Sequence, residues 1–281
     1  MNTLFLLVLV TLIQVYAFKI DFEGEDLDFD EDDPETVPNL FQGDIAMKKD
    51  DMAMLKIGIN PMKYPQKLWE NRTVPFTISR EYSFDERALI DRSLTALSSL
   101  TCLNFKEYSG AEENFIHFKP PEGKSGGCWS FVGKTGGEQI VTLQKADKQS
   151  AHCFSSEGRI IHEVLHAVGI YHEQSRPDRD KFIKIHWDNI IPKYKKNFKL
   201  ITSKGKHSFE YDYNSVMHYG FFYFSKEKGK KPTITPIKPK TRIGQRRTIS
   251  KIDCLKINEL YGCLKGREAR KYRSFCSLLA L

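Results

Sequence analysis

An α+β fold class is expected for this chain of 281 residues. Three observations point there. Segments with strand character alternate with capped, amphipathic helices. One helical segment carries histidines at metal-binding spacing. A series of landmark motifs, taken up below, runs in a fixed order along the chain.

The chain begins with an apolar run, Leu4 to Val15, too short to span a bilayer comfortably, followed by the small-x-small pattern Val15-Tyr16-Ala17. Together these read as a signal peptide over residues 1–17, although no basic residue precedes the run. No later apolar run is long enough for a transmembrane helix, so a secreted, extracellular protein is expected. Residues 1–59 carry 13 acidic and 4 basic side chains, a balance of −9, which leaves +16 for residues 60–281 out of the chain's +7. The acidic block Asp21 to Glu35 has too little apolar content to fold alone. Its loss would leave a basic protein suited to sulfated glycans, acidic matrix proteins or lipid head groups. Nucleic acid is not expected, since the aromatics show no stacking pattern.

Phe41-Gln42-Gly43-Asp44 closes the acidic segment, and a Lys/Asp/Met-rich linker runs to about Gly58. Thr73 to Ile78 reads as a strand. Ser83 and Glu86 form a capping box ahead of a helix with Leu89, Ile90, Leu94, Leu97 and Leu100 on its buried side. Phe115 to Phe118 is a short apolar strand. Glycine-rich punctuation at Gly126-Gly127-Cys128-Trp129-Ser130 and Thr135-Gly136-Gly137 precedes another strand, Gln139 to Leu143. A helix capped from Ser155 or Ser156 follows. After Asp180 come Lys184 to Trp187, a helical stretch near Ile190 to Phe198, and loop-rich basic sequence. A last amphipathic helix, about Lys251 to Tyr261, ends at Gly262 and Cys263, and the basic residues 264–281 give no fold signal. There is no internal repeat.

The helix after Ser156 is the most informative stretch: His162-Glu163-Val164-Leu165-His166-Ala167-Val168-Gly169-Ile170-Tyr171-His172. Residues four apart share a helix face, so His162 and His166 can grip one ion. Gly169 can take a left-handed conformation and turn the chain back, so that His172 supplies a third nitrogen. Three protein ligands leave one position open, the mark of a catalytic zinc site. Glu163 stands beside the metal position as a general base. Six cysteines in an oxidising compartment point to disulfides, and no C-x-x-C pair suggests a structural zinc module. Asn71-Arg72-Thr73 is the one N-glycosylation sequon.

These residues, taken with others in order, resemble the astacin family of metzincin endopeptidases from about Phe41 to Cys263. Glu173-Gln174-Ser175-Arg176-Pro177-Asp178-Arg179-Asp180 resembles the family's extension after the third histidine. Tyr211-Asp212-Tyr213-Asn214-Ser215-Val216-Met217-His218-Tyr219 resembles its Met-turn segment. Cys128-Trp129-Ser130 and Ile243-Gly244-Gln245-Arg246 are similar to further landmarks. The resemblance implies a two-lobed domain over residues 60–263 with a mixed, mostly antiparallel sheet, one Zn2+ ion, and protein or peptide substrates pairing with an edge strand that Gln139 to Leu143 provides. It implies Met217 as the apolar floor under the metal and Tyr219 as a further ligand that swings away to stabilise the transition state. It implies that Asp44, in an acidic pro-segment over residues 18–59, holds the zymogen inactive until cleavage around Lys56 to Asn60. Glu173 then receives the new N-terminus. It further implies disulfides Cys102–Cys263 and Cys128–Cys153; Cys254 and Cys276 depart from the family's minimal pattern, and either they pair with each other or Cys276 cross-links chains. Arg246 aligns with a pocket position for the residue after the scissile bond, where an acidic side chain is expected. A monomer is expected. The competing reading is a catalytically idle secreted protein that binds glycans or matrix through its basic surface; a structural zinc protein is a third.

Overall fold

The structure is a computed structural model and describes residues 33–56, 60–122, 126–145, 152–201 and 209–279. The expected signal peptide, the acidic block up to residue 32 and residues 57–59 of the expected activation linker lie outside the described residues. In chain order, β1 (Ile45–Ala46) and α1 (Lys49–Lys56) precede β2 (Thr73–Ile78), α2 (Phe84–Leu100), β3 (Asn104–Glu107), β4 (Phe115–Lys119), β5 (Cys128–Phe131) and β6 (Glu138–Leu143). Then come α3 (Glu157–Ala167), the short strands β7 (Ile183–Ile185) and β8 (Ile234–Pro236), α4 (Lys251–Leu260) and α5 (Ala269–Ser277).

The expected α+β mixture is present, with the capping box in place: Glu86 N donates to Ser83 Oγ at 3.2 Å and Ser83 N to Glu86 Oε2 at 2.7 Å. Ile90, Leu94 and Leu97 of α2 are buried, whereas Leu89 and Leu100 pack at the margin. The main sheet runs β1-β5-β6-β4-β2-β3. It is mixed but not mostly antiparallel: every pairing in it is parallel except β5 with β6. The cause lies in the connections. The α2 crossover returns the chain to the same end of the sheet, which sets β3 parallel to β2, while only β5 and β6 follow one another through a tight glycine turn. A second correction concerns substrate pairing. Strand β6 is interior, between β5 and β4, and β5 is itself flanked by β1, so the outer strands of this sheet are β1 and β3.

Of three apolar clusters among the described residues, two are large. The larger combines the sheet with α2, α3, α4 and α5. The smaller gathers Ile183, Ile190, Phe198, Tyr219, Phe224 and Ile234 with their neighbours. Pro192 starts a 3-10 helix of 7 residues, Pro192–Phe198, where the sequence suggests a helical stretch. Residues 264–281, expected to lack a fold signal, contain α5, which buries Tyr272 and Cys276. Among the described residues no helix is long and apolar enough to cross a membrane.

Candidate metal centre

Helix α3 is buried on all sides from Ile160 to Val168. In its first turn, a Cβ on Gly158 would meet the Arg246 carbonyl at 2.1 Å, so glycine there lets the Arg246 segment lie directly on the helix. Ser156 is the N-cap residue, but its hydroxyl donates to the Arg246 carbonyl at 2.6 Å rather than capping the helix itself. At the far end Gly169 takes φ +111°, a conformation open to glycine. Ile170 N then donates to the Leu165 carbonyl at 2.9 Å, closing a left-handed helix end. This turn carries His172 back toward the helix.

All three imidazoles are oriented by their Nδ1 atoms. His162 Nδ1 faces the Val216 carbonyl at 2.8 Å, His166 Nδ1 the Ile170 carbonyl at 2.7 Å, and His172 Nδ1 the Gln42 amide oxygen at 2.8 Å. Each partner is an acceptor, so each Nδ1 carries the proton and each Nε2 presents a lone pair. Burial lowers the basicity of two rings, His166 below its ordinary value and His172 to about 3, so both stay neutral. The Nε2 atoms converge on Asp44, whose Oδ2 lies 3.1 Å from His162 Nε2 and 3.0 Å from His172 Nε2. These four side chains form a fully buried group with metal-ligand spacing. His162 and His172 point lone pairs at each other across 3.3 Å. His166 Nε2 and Asp44 Oδ1, 3.7 Å apart, have no hydrogen-bond partner. Converging lone pairs and orphaned buried acceptors are unfavourable without a cation, and a divalent ion satisfies all of them. The donor set fits zinc.

Glu163 is fully buried and neither carboxyl oxygen has a partner. Burial, and after it the charges of Asp44 and Glu35, push its carboxyl well above the usual range. Tyr219 is buried, with its ring 4.8 Å from that of His172 and its hydroxyl donating to the Gln42 carbonyl. Met217 is buried in the turn that supplies the Val216 carbonyl, and its own carbonyl accepts from Glu173 N at 3.1 Å. His218, between them, is spent on Tyr211 Oη and the Tyr219 carbonyl, each at 2.7 Å.

Glu173 is buried at the edge of a cavity of about 330 Å3 bordered by Asn60, Met62, Gly169, Arg176 and Lys256. Its Oε1 accepts from Arg176 Nη1 at 3.0 Å and Asp212 N at 2.9 Å, and its Oε2 from Lys256. Burial opposes its charge, but Lys256 and Arg176 keep the carboxyl below its ordinary value. Arg246 grips Glu35 through Nε at 2.9 and 2.7 Å and Nη2 at 2.6 Å. Cys102–Cys263, Cys128–Cys153 and Cys254–Cys276 are bonded. Asn71 is exposed, at φ +52° in the turn Glu70–Arg72.

Sequence reasoning missed two members of this neighbourhood. Gln42 orients His172, and its side chain carries no local sign of that task beyond standing two residues before Asp44. Glu35 is one acid among many in its block; only the fold brings it to Arg246.

Residues 61–262 match the family model described as Astacin, a family of peptidases. The chain is 38% identical over 232 residues to zinc metalloproteinase nas-13 of Caenorhabditis elegans, covering 80% of this chain and 47% of that protein. It is 35% identical over 230 residues to the low choriolytic enzyme of Oryzias latipes, covering 81% and 80%. The solved structure of high choriolytic enzyme 1, a hatching enzyme zinc-protease from Oryzias latipes, superposes with a TM-score of 0.60 at 37% identity. That match covers 70% of this chain and 93% of the solved one. The chain spans under half the length of nas-13 and 34% of that of nas-15, a similar Caenorhabditis elegans protein.

Proposed function

This chain belongs to the astacin family, and from that membership we propose that it is a zinc-dependent endopeptidase, secreted through residues 1–17 and made as a zymogen. Residues 60–263 form the catalytic domain, 18–59 the pro-segment and 264–281 a C-terminal extension. The observation that carries the reading is the convergence of three pre-oriented imidazoles on one point, with acceptors there that lack any partner. His162, His166 and His172 are the residues that would hold the ion. Zinc there supplies Lewis acidity that brings the pKa of water to about 7.

Glu163 takes the proton from the attacking water and passes it to the leaving amine. Its carboxyl oxygens lie buried and without a partner, which suits a group that must both accept and return a proton. Met217 forms the floor below the ion. Tyr219, freed from the Gln42 carbonyl, donates its O–H to the developing oxyanion. Asp44 occupies the centre of the site and excludes water and peptide, while β1 covers the free side of β5 where an extended substrate would pair. Arg246 receives an acidic side chain after the scissile bond. Cleavage around Lys56 to Asn60 creates an N-terminus beside the cavity at Glu173, where its ammonium competes with Lys256. Peptides or proteins are the substrates of a monomeric enzyme, and the basic surface holds it near anionic glycans or matrix. Asn71 carries a glycan.

Glu163→Gln tests this reading. The processed variant should bind one zinc by elemental analysis yet lose about 10^2–10^4-fold in turnover of a quenched peptide, the range for a lost general base. Turnover by the variant at the wild-type rate, or wild-type turnover in a chelator, sinks the proposed mechanism, whereas a processed wild-type chain that binds zinc and cleaves nothing leaves the idle binding protein as the better account.

A further inference from the structure

Met62 is buried and follows the expected cleavage region at Lys56 to Asn60. Its thioether lies against two glycines. A Cβ on Gly133 would meet its Sδ at 2.6 Å, and a Cβ on Gly169 would meet its Cε at 2.3 Å. Both glycines take positive φ, +70° and +111°, so any other residue there would bring strain as well as a clash. Their amides share one acceptor: Gly133 N donates to the His166 carbonyl at 2.9 Å and Gly169 N at 2.8 Å. Met62 therefore rests on the two peptides that fix the backbone of a metal-binding histidine. The same turn runs on to Ile170, whose carbonyl holds His166 Nδ1, and then to His172.

The surroundings are apolar on one side and open on the other. Met62 clusters with Ile45 and Val132, flanked by Leu68 and Leu260. It also borders the cavity of about 330 Å3 at Glu173, which gives a small oxidant a way to the sulfur. Few groups compete for that oxidant. All six cysteines are in disulfides, so no thiol reacts first. Of the six methionines, Met1, Met47, Met52 and Met54 precede the expected cleavage region. Met217 is 1% exposed and does not border that cavity.

We propose that Met62 is an oxidation site through which peroxides control the histidine turn. The sulfur attacks one peroxide oxygen, the O–O bond breaks, and a sulfoxide forms with release of water, or of an alcohol from an organic peroxide. Sulfur gives up two electrons and the peroxide takes them. The new oxygen is polar and finds no donor among Ile45, Val132, Leu68 and Leu260. It turns to the cavity, which lifts the methyl group from Gly169 and opens both amides to water. The inference rests on reading His162, His166 and His172 as the zinc ligands, and it adds regulation of that site.

Hydrogen peroxide on the full-length, zinc-loaded chain carrying Met47→Leu, Met52→Leu and Met54→Leu tests it without any turnover assay. Peptide mass mapping should place the first added oxygen on Met62. Zinc transfer to a chromogenic chelator should then quicken about tenfold or more, the scale for disturbing a group that orients a metal ligand. Amide hydrogen exchange at Gly133 and Gly169 should quicken with it. Adding Met62→Leu, a volume-conserving change, should leave both rates unmoved by peroxide. Oxygen on Met217 first, Met62 sulfoxide without faster exchange, or the same response after Met62→Leu would each overturn the site. Faster exchange at these amides in a chain that neither binds zinc nor cleaves peptide would keep the oxidation site and refute the proposed reaction, so the two fail separately.

Discussion

Burial pushes the Glu163 carboxyl well above the usual range, because neither of its oxygens has a donor within reach. The spacing of His162, Glu163, His166 and His172 is legible in the sequence because it is written within eleven consecutive residues. Two of the groups that orient those side chains are not, since Val216 and Gln42 arrive from distant segments. The same physics acts on Asp212, which packs behind the Met-turn against Ser250. Burial, followed by the charge of Asp253, pushes Asp212 up from 3.8 to about 6. A carboxyl that holds its proton more tightly when folded costs stability once it ionises, so its effect is a decline as pH rises from about 4 to about 6. Asp212→Asn should flatten that part of the urea-midpoint profile relative to the wild type. Parallel profiles for the two proteins would show that Asp212 does not titrate in this range.

Among the helices and strands, capping and periodicity are readable where they are local. Ser83 and Glu86 start α2, and Gly169 ends α3. Strand direction is not, because alternation of apolar and polar residues reports which face is buried and says nothing of a neighbour's direction. Helix α5 escapes notice in the sequence although Tyr272, Phe275, Cys276 and Leu279 follow helical spacing; the surrounding lysines and arginines obscure a narrow apolar stripe that packs against the main core. The Cys254–Cys276 bond, spanning 22 residues, ties this helix to α4. Replacing both cysteines by serine should cost about 2–4 kcal/mol in urea unfolding, while zinc content stays at one per chain because α5 packs away from the histidines. A loss of zinc in that variant would show that α5 supports the metal centre directly.

Over the whole molecule, charge and topology serve the same end. The first 59 residues carry −9 and the rest +16, and part of the acidic segment lies in the cleft with Asp33, Glu35 and Asp44 on basic or metal-binding groups. Removing it should unmask a basic protein. The processed form should therefore leave immobilised heparin at higher salt than the full-length chain, and equal elution would argue against the basic surface as an anion-binding face. The histidine helix and the family could both be read before any fold was known, because those signals lie in short runs whose spacing has one physical use. The folded chain was needed to show that β6 is interior, that β1 pairs with the far side of β5, and that Glu35 sits among Arg159, Arg246 and Tyr223. These arrangements depend on segments far apart in the chain meeting in one cleft, and no local pattern of apolar, charged or glycine residues encodes such a meeting.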